Sequence, residues 1–170
     1  MLWTIQQLNP SHDIAAFDCS QPSLDSFLRK NALNNDRAGL GRTFVAVEPG
    51  LIRVAGYFTI STGSVRFDVF PDHAKKRLPK YPIPTVHIGR LAVDVKFHKR
   101  RLGETLLVES LRKAAAASAS VGIYAVDVFA LHDKAKQFYV KYGFVEMLNE
   151  TLHLFLPIET ARQLPAAIDS

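Results

Sequence analysis

Residues 87–111 read HIGRLAVDVKFHKRRLGETLLVESL, and the change of pattern inside this stretch decides the fold. From Thr85 to Val93 the chain is apolar and rich in β-branched residues, which predicts a strand. A short basic loop follows. From Gly103 to Ala119 the period changes, and Leu106, Leu107, Ser110, Leu111 and Ala114 share one helical stripe. Gly122 to Ala130 then reads as a second, buried strand. A strand, a helix and a strand in this order predict a parallel β-α-β unit. The junction before Gly103 would aim several backbone N–H groups at one spot, with the positive end of the helix dipole behind them. Lys99, Arg100 and Arg101 add formal charge there, which suits a phosphate. A solvated basic loop is the plain alternative.

Reading outward, Lys134 to Tyr142 predicts a helix stopped by Gly143. Leu152 to Leu156 follows as a strand, and Ile158 to Leu164 as a short helix. On the N-terminal side Ser20 is a candidate cap and Pro22 suits a first helical turn. Leu24, Phe27, Leu28 and Ala32 give that helix one apolar face, and Gly39 to Gly41 end it. Thr43 to Val47 and Ile52 to Ser61 predict a hairpin turning at Pro49-Gly50, with a further short strand at Val65 to Val69. Residues 71–84, PDHAKKRLPKYPIP, are basic and carry four prolines, so they predict a loop with one helical turn. The expected class is α+β. A mixed, mainly antiparallel sheet with a central parallel β-α-β unit is flanked by helices, and residues 1–170 form one domain.

The bulk composition sets limits. Of 170 residues, 48% are hydrophobic and 22% charged, as in ordinary globular chains. No apolar run reaches the ~20 residues of a membrane span. The first residues, MLWTIQQLNPSHD, lack a basic-then-apolar leader, and the one cysteine, Cys19, has no internal partner for a disulfide. A cytoplasmic protein is expected. The net charge of +5 favours phosphate-rich partners, and it gathers at Lys75, Lys76, Arg77 and Lys80 and again from Lys96 to Arg101.

The loop before the helix resembles the pyrophosphate-binding motif of the GNAT acetyltransferases: Gln or Arg, two variable residues, Gly, one variable residue, then Gly or Ala. His98, Arg101 and Gly103 occupy the three fixed positions. Gly103 fits the motif, whereas His98 and Arg101 depart from it. A second GNAT hallmark is an alanine and a Phe-Tyr pair on a helix ending in Gly-Phe. VFALHDKAKQFYVKYGF resembles it through Ala135, Phe138, Tyr139, Gly143 and Phe144. The resemblance implies a GNAT fold and acetyl-CoA as cosubstrate, with no metal. It implies cofactor contacts from Leu91, Ala92 and Val93 at the strand end. His98, Lys99, Arg100, Arg101, Leu102, Gly103, Glu104 and Thr105 continue them through the loop and first helical turn, with His132 as a further contact. Tyr139 would be the catalytic acid, protonating the thiolate that leaves when an amine attacks the thioester. Its plain alternative is a half-buried helix aromatic, and for His132 a surface turn. His87 is a candidate base, although a strand histidine is more often structural. Tyr142 and Cys19 read as structural, and Arg90 with Asp94 as a structural pair.

FDCSQPSLDSFL, GRTFVAV, GYFTIS, the proline-rich basic segment and IPTVHIGRLAVD occur in an order that resembles one GNAT subgroup. These are the toxins of bacterial type II toxin–antitoxin modules. That resemblance implies acetylation of the α-amino group of aminoacyl-tRNA, arrest of translation, and a ribbon-helix-helix antitoxin as partner. Arg37, Arg42, Lys75, Lys76, Arg77 and Lys80 are then candidate tRNA contacts, and Tyr81 a candidate for stacking on a base. Each is also readable as an ordinary exposed residue. A GNAT acting on a small amine or a protein amino group, and a degenerate acetyl-CoA-binding regulatory module, are the alternatives. A homodimer is left open, and no membrane partner is expected.

Overall fold

In a computed structural model describing residues 3–164, the elements run in this order. The chain begins with β1 (Thr4–Gln7), α1 (Pro22–Lys30), α2 (Ala32–Arg37), β2 (Arg42–Val47) and β3 (Gly56–Val65). Next come α3 (Asp72–Lys75), β4 (Ile83–Val93), α4 (Leu102–Ala117) and β5 (Ala125–Phe129). The last elements are α5 (Asp133–Lys141), β6 (Val145–Met147), β7 (Glu150–Pro157) and α6 (Ile158–Arg162). The strands form a seven-stranded sheet in the order β1-β2-β3-β4-β5-β7-β6. β4 and β5 pair in parallel, from Thr85 opposite Ala125 to Ile88 opposite Val128. The mixed sheet with its parallel β-α-β centre is therefore the one expected.

The chain divides into two compact units, and several elements pass from one to the other. The first comprises residues 3–61 and Gly89–Ser110. Alternation along β2 and β3 buries both faces of its sheet. Val45, Val47 and Tyr57 face Phe27, Leu28 and Ala32 of α1 and α2. Ala46 and Phe58 face Leu102 and Leu106 at the start of α4. Fully burying a side chain such as Phe58 contributes about 1.5–3 kcal/mol. The second packing layer depends on Gly56. A Cβ there would stand 2.9 Å from Leu106 Cδ1 and 3.0 Å from the Ala92 carbonyl oxygen, so glycine lets α4 lie this close to β3.

The second unit comprises Thr62–Ile88 and Leu111–Leu164. β5 pairs antiparallel with β7, and β7 with β6, where the register shifts at Glu146 and Met147. The proline-rich segment is better anchored than a plain loop. Phe70 is fully buried, meets Tyr124 and Phe155 edge-on, and shares a cluster with Ala74 of α3 and Ile83.

Several boundaries differ from the sequence reading. Gln21, not Ser20, stands at the N-cap position of α1 and makes no side-chain capping bond, and Ser20 has a left-handed φ of 67°. β3 begins at Gly56 and runs through Val65, while residues 67–69 form a 3-10 turn rather than a strand. Ile52, where the sequence reading starts this strand, is exposed. Arg90 and Asp94 do not pair. The Arg90 guanidinium lies 3.5 Å from the Phe27 ring centre. Asp94 is 3.9 Å from Arg53 and accepts the backbone N–H groups of Asp18 and Lys96.

Candidate functional site

The first group of candidate residues lies entirely in the first unit. Leu91 and Val93 pack against the α4-facing cluster, and Ala92 turns to the α1-facing one, as strand alternation requires. Beyond β4, Asp94 caps a 3-10 turn whose Phe97 is buried against Trp3, with the Arg100 guanidinium 5.4 Å from the Phe97 ring centre. That plug fixes where the loop leaves the strand. His98 folds back, its Nε2 donating to the Val93 carbonyl at 3.0 Å. It therefore fastens the loop to the strand end.

Lys99 and Arg101 have φ of 65° and 59°, so two non-glycine residues sit in the left-handed region. Conformations of this kind aim successive N–H groups into one concavity that suits an anion. Arg101 stands where the GNAT motif carries glycine, and the positive φ is the physical reason for that preference. Holding a non-glycine residue there costs roughly 1–2 kcal/mol. α4 then begins at Leu102, and Thr105 sends both its N–H and its hydroxyl to the Arg101 carbonyl. Gly103 and Glu104 complete the first turn. Lys99, Arg100 and Arg101 are exposed beside this turn, a charge and backbone pattern that fits a pyrophosphate.

The remaining candidates divide by unit. In the second unit Tyr139 lies on α5 and is 6% exposed. Its ring meets Phe138 and Phe144 edge-on. Burial pushes its phenol above the ordinary value of 10, so the proton is held throughout the physiological range. His132 caps α5, with Nδ1 accepting the Ala135 N–H at 3.1 Å. Lys76, Arg77 and Lys80 are exposed, while Lys75 lies 3.8 Å from Asp72. In the first unit Arg37 is exposed. Arg42 is committed to Asp36, whose carboxylate lies 3.1 Å away, and ties α2 to β2.

The sequence reading missed a polar network in the second unit. Asp127, in the middle of apolar β5, is 2% exposed. It accepts from Thr85 Oγ1 at 2.7 Å, from His87 Nδ1 at 3.1 Å and from His153 Nε2 at 2.8 Å. The other nitrogen of His153 donates to Glu150 at 2.7 Å. Gly63 makes room beside this group, since a Cβ there would stand 2.4 Å from Thr85 Oγ1. A cavity of about 340 Å³ is lined by His87, Asp127, Glu150 and His153 together with Arg66 and Phe129. A signal for it was present in the sequence. A carboxylate in AVDVFA and a histidine in TLHLFLP interrupt buried apolar strands, and such groups require partners.

Burial pushes the Asp127 carboxyl up, but hydrogen bonds from His153, His87 and Thr85 more than reverse this and hold it well below 3.8. Burial pulls His153 down, but its bonds to Asp127 and Glu150 leave it above 6.5. By linkage, the raised histidine stabilises the fold fully below its unfolded value and loses that contribution as pH rises through the folded one. The depressed aspartate stabilises above 3.8 and loses its contribution as pH falls through its folded value. Thermal unfolding from about pH 6 to 9 should therefore show a stability advantage over His153→Gln that shrinks as pH rises. A constant difference between the two proteins across that range contradicts the assignment.

The acetyltransferase (GNAT) family model matches residues 12–144. A protein of Mycobacterium tuberculosis (strain ATCC 25618 / H37Rv) named tRNA-acetylating toxin is 37% identical over 159 residues, 94% of each chain. Among solved structures, a tyrosine-to-phenylalanine mutant of KacT superposes with a TM-score of 0.91 at 31% identity, covering 96% of this chain and 99% of that one. AtaT complexed with acetyl-methionyl-tRNAfMet gives 0.88 at 28% identity, covering 94% and 97%. Among the described residues, no helix is long and apolar enough to cross a membrane.

Proposed function

Because this chain belongs to the GNAT acetyltransferase family, we propose that it transfers acetyl from acetyl-CoA to the α-amino group of an aminoacyl-tRNA and thereby arrests translation. The near full-length match to a tRNA-acetylating toxin is the observation that carries this reading. Acetyl-CoA supplies an acyl group activated as a thioester. The loop from His98 to Thr105 holds the pyrophosphate on its left-handed N–H groups and the α4 terminus, with Lys99, Arg100 and Arg101 neutralising charge. Leu91, Ala92 and Val93 line its approach along β4, and His132 lies at the head of α5. Tyr139, kept protonated by burial, donates to the departing thiolate. The amine needs no covalent attachment to the protein.

The substrate reading also has a chemical basis. Esterification of an amino acid lowers the pKa of its ammonium group, so more neutral amine is present near pH 7. The tRNA adds binding energy remote from that amine. Lys76, Arg77 and Lys80 are the exposed cations of the proline-rich segment that suit its phosphates, with Arg37 as a further contact. A ribbon-helix-helix antitoxin is the protein partner that this assignment carries with it.

A cell-free translation reaction tests the function. The chain should stop synthesis only when acetyl-CoA is present, and adding freshly charged tRNA should restore it transiently. Continued synthesis in the presence of both contradicts the proposal. For the loop, Gly103→Val should weaken acetyl-CoA binding by at least about tenfold, because a side chain would keep the phosphate from the helix terminus. Calorimetry showing unchanged affinity would remove Gly103 from the phosphate site.

A further inference from the structure

We infer that the cavity over β4, β5 and β7 receives the substrate's ammonium group and that His87 Nε2 takes its proton, which makes His87 the general base of the transfer. This rests on the acetyltransferase reading above and names the group that prepares its nucleophile. Four observations lead to it.

The first is tautomeric. His87 Nδ1 faces a carboxylate oxygen of Asp127 at 3.1 Å, and a carboxylate can only accept. Nδ1 therefore carries the proton in the neutral ring, and the lone pair lies on Nε2. That nitrogen has no hydrogen-bond partner among the described residues.

The second is access. The His87 side chain is 27% exposed and lines a cavity of about 340 Å³, room for an amino-acid side chain and its amine. Asp127 and His153 are almost fully buried beside it, so the cavity exposes one imidazole and encloses the other.

The third is charge. The titratable groups facing the cavity are Arg66 beyond β3, His87 on β4, Asp127 on β5, and Glu150 and His153 on β7. Arg66 is engaged by Asp68 outside the network. With His153 protonated between its two carboxylates, Asp127 and Glu150 leave one net negative charge in the network. That favours an incoming ammonium and accommodates the imidazolium formed when His87 accepts a proton.

The fourth is the wall. Phe129 is 59% exposed, lies parallel to the His153 ring at 3.9 Å, and meets the His87 ring edge-on at 5.8 Å. It offers the carbon chain of an aminoacyl group an apolar surface beside the base.

The proton balance closes. The substrate ammonium gives one proton to His87, which later passes it to solvent. The neutral nitrogen attacks the acetyl carbonyl, a C–N bond forms and the thioester C–S bond breaks. Tyr139 gives its proton to the sulfur. The second proton leaving nitrogen restores the phenol through solvent. One amide, one thiol and one released proton result.

The test uses His87→Asn in the full chain, because the asparagine amide can still donate to Asp127 but has no basic nitrogen. Acetyl-CoA affinity and melting temperature serve as folding controls. At pH 7 single-turnover acetylation should fall by roughly six- to elevenfold, because an α-amino group with a pKa of about 7.7–8 is mostly charged there. The deficit should shrink as pH approaches about 9, where solvent already supplies neutral amine. Added imidazole should accelerate His87→Ala and leave Tyr139→Phe unchanged. A variant within about threefold of wild type at pH 7, or a deficit constant across pH and insensitive to imidazole, overturns the assignment. If the wild-type chain acetylates a polyamine or peptide but no charged tRNA, the aminoacyl-tRNA reading fails by itself. The same His87 measurements on that amine then decide the base.

Discussion

Tyr139→Phe should lose about 10²–10⁴-fold in single-turnover acetylation while keeping its acetyl-CoA affinity and its melting temperature. Tyr139 is buried, and its ring packs edge-on against Phe138 at 5.2 Å and Phe144 at 5.5 Å. Removing the whole ring would leave a cavity and cost roughly 3–5 kcal/mol, so an alanine variant would confuse folding with chemistry. Phenylalanine keeps both ring contacts and deletes only the hydroxyl. Burial pushes the phenol above 10, so no loss of wild-type activity below about pH 10 should trace to its ionisation. The Tyr139→Phe deficit should thus be nearly constant with pH, in contrast to the deficit expected at His87. Near-normal single-turnover rates in Tyr139→Phe would remove the tyrosine from the mechanism.

Reversing Lys76, Arg77 and Lys80 to glutamate should weaken tRNA binding on the order of 10²-fold near physiological salt and leave acetyl-CoA binding unchanged. These three cations are exposed on a segment held by Phe70 and Ala74, so the substitutions alter charge without entering the core. Every phosphate that a lysine or arginine neutralises releases about one counterion. Without these three cations the slope of log affinity against log salt should therefore fall by roughly 2–3. Lys75 is left out because it lies beside Asp72. Tyr81, 62% exposed, shares a hollow of about 270 Å³ with Arg66 and Lys80, which suits a stacked base at the edge of the same patch. Filter binding across a salt series reads both quantities. An unchanged slope places the tRNA elsewhere on the surface.

The parallel β-α-β centre was legible because the change from strand to helical period lies within one short stretch. The residues that carry that change, Leu91 to Val93 and Leu102 to Leu106, pack against clusters of their own unit. Local chemistry also marked the loop, through the basic run and Gly103. β1 and β6 were not seen, since TIQQ and VEM are too short to display a period. The bounds of β3 differ because exposed Ile52 resembles a strand residue, whereas Thr62, Gly63 and Ser64 extend the strand through pairing rather than hydrophobicity. His98 and His132 were assigned outward roles from their positions in motifs. Their hydrogen bonds to the Val93 carbonyl and the Ala135 N–H are local capping contacts that a motif does not encode. The Asp127 network was hidden by distance along the chain, since the three side chains that bond to Asp127 lie 26 to 42 residues from it. Only the register that sets His87 opposite Asp127, and Phe129 opposite His153, brings them together.

Incubation of the chain with acetyl-labelled acetyl-CoA and total charged tRNA tests the central claim most directly. Label should appear in the tRNA fraction. Mild alkaline cleavage of the ester should then release it as an N-acetyl amino acid, and tRNA stripped of its amino acid beforehand should take up none. Label on a free polyamine or peptide with none on charged tRNA, or label that persists on stripped tRNA, contradicts the account.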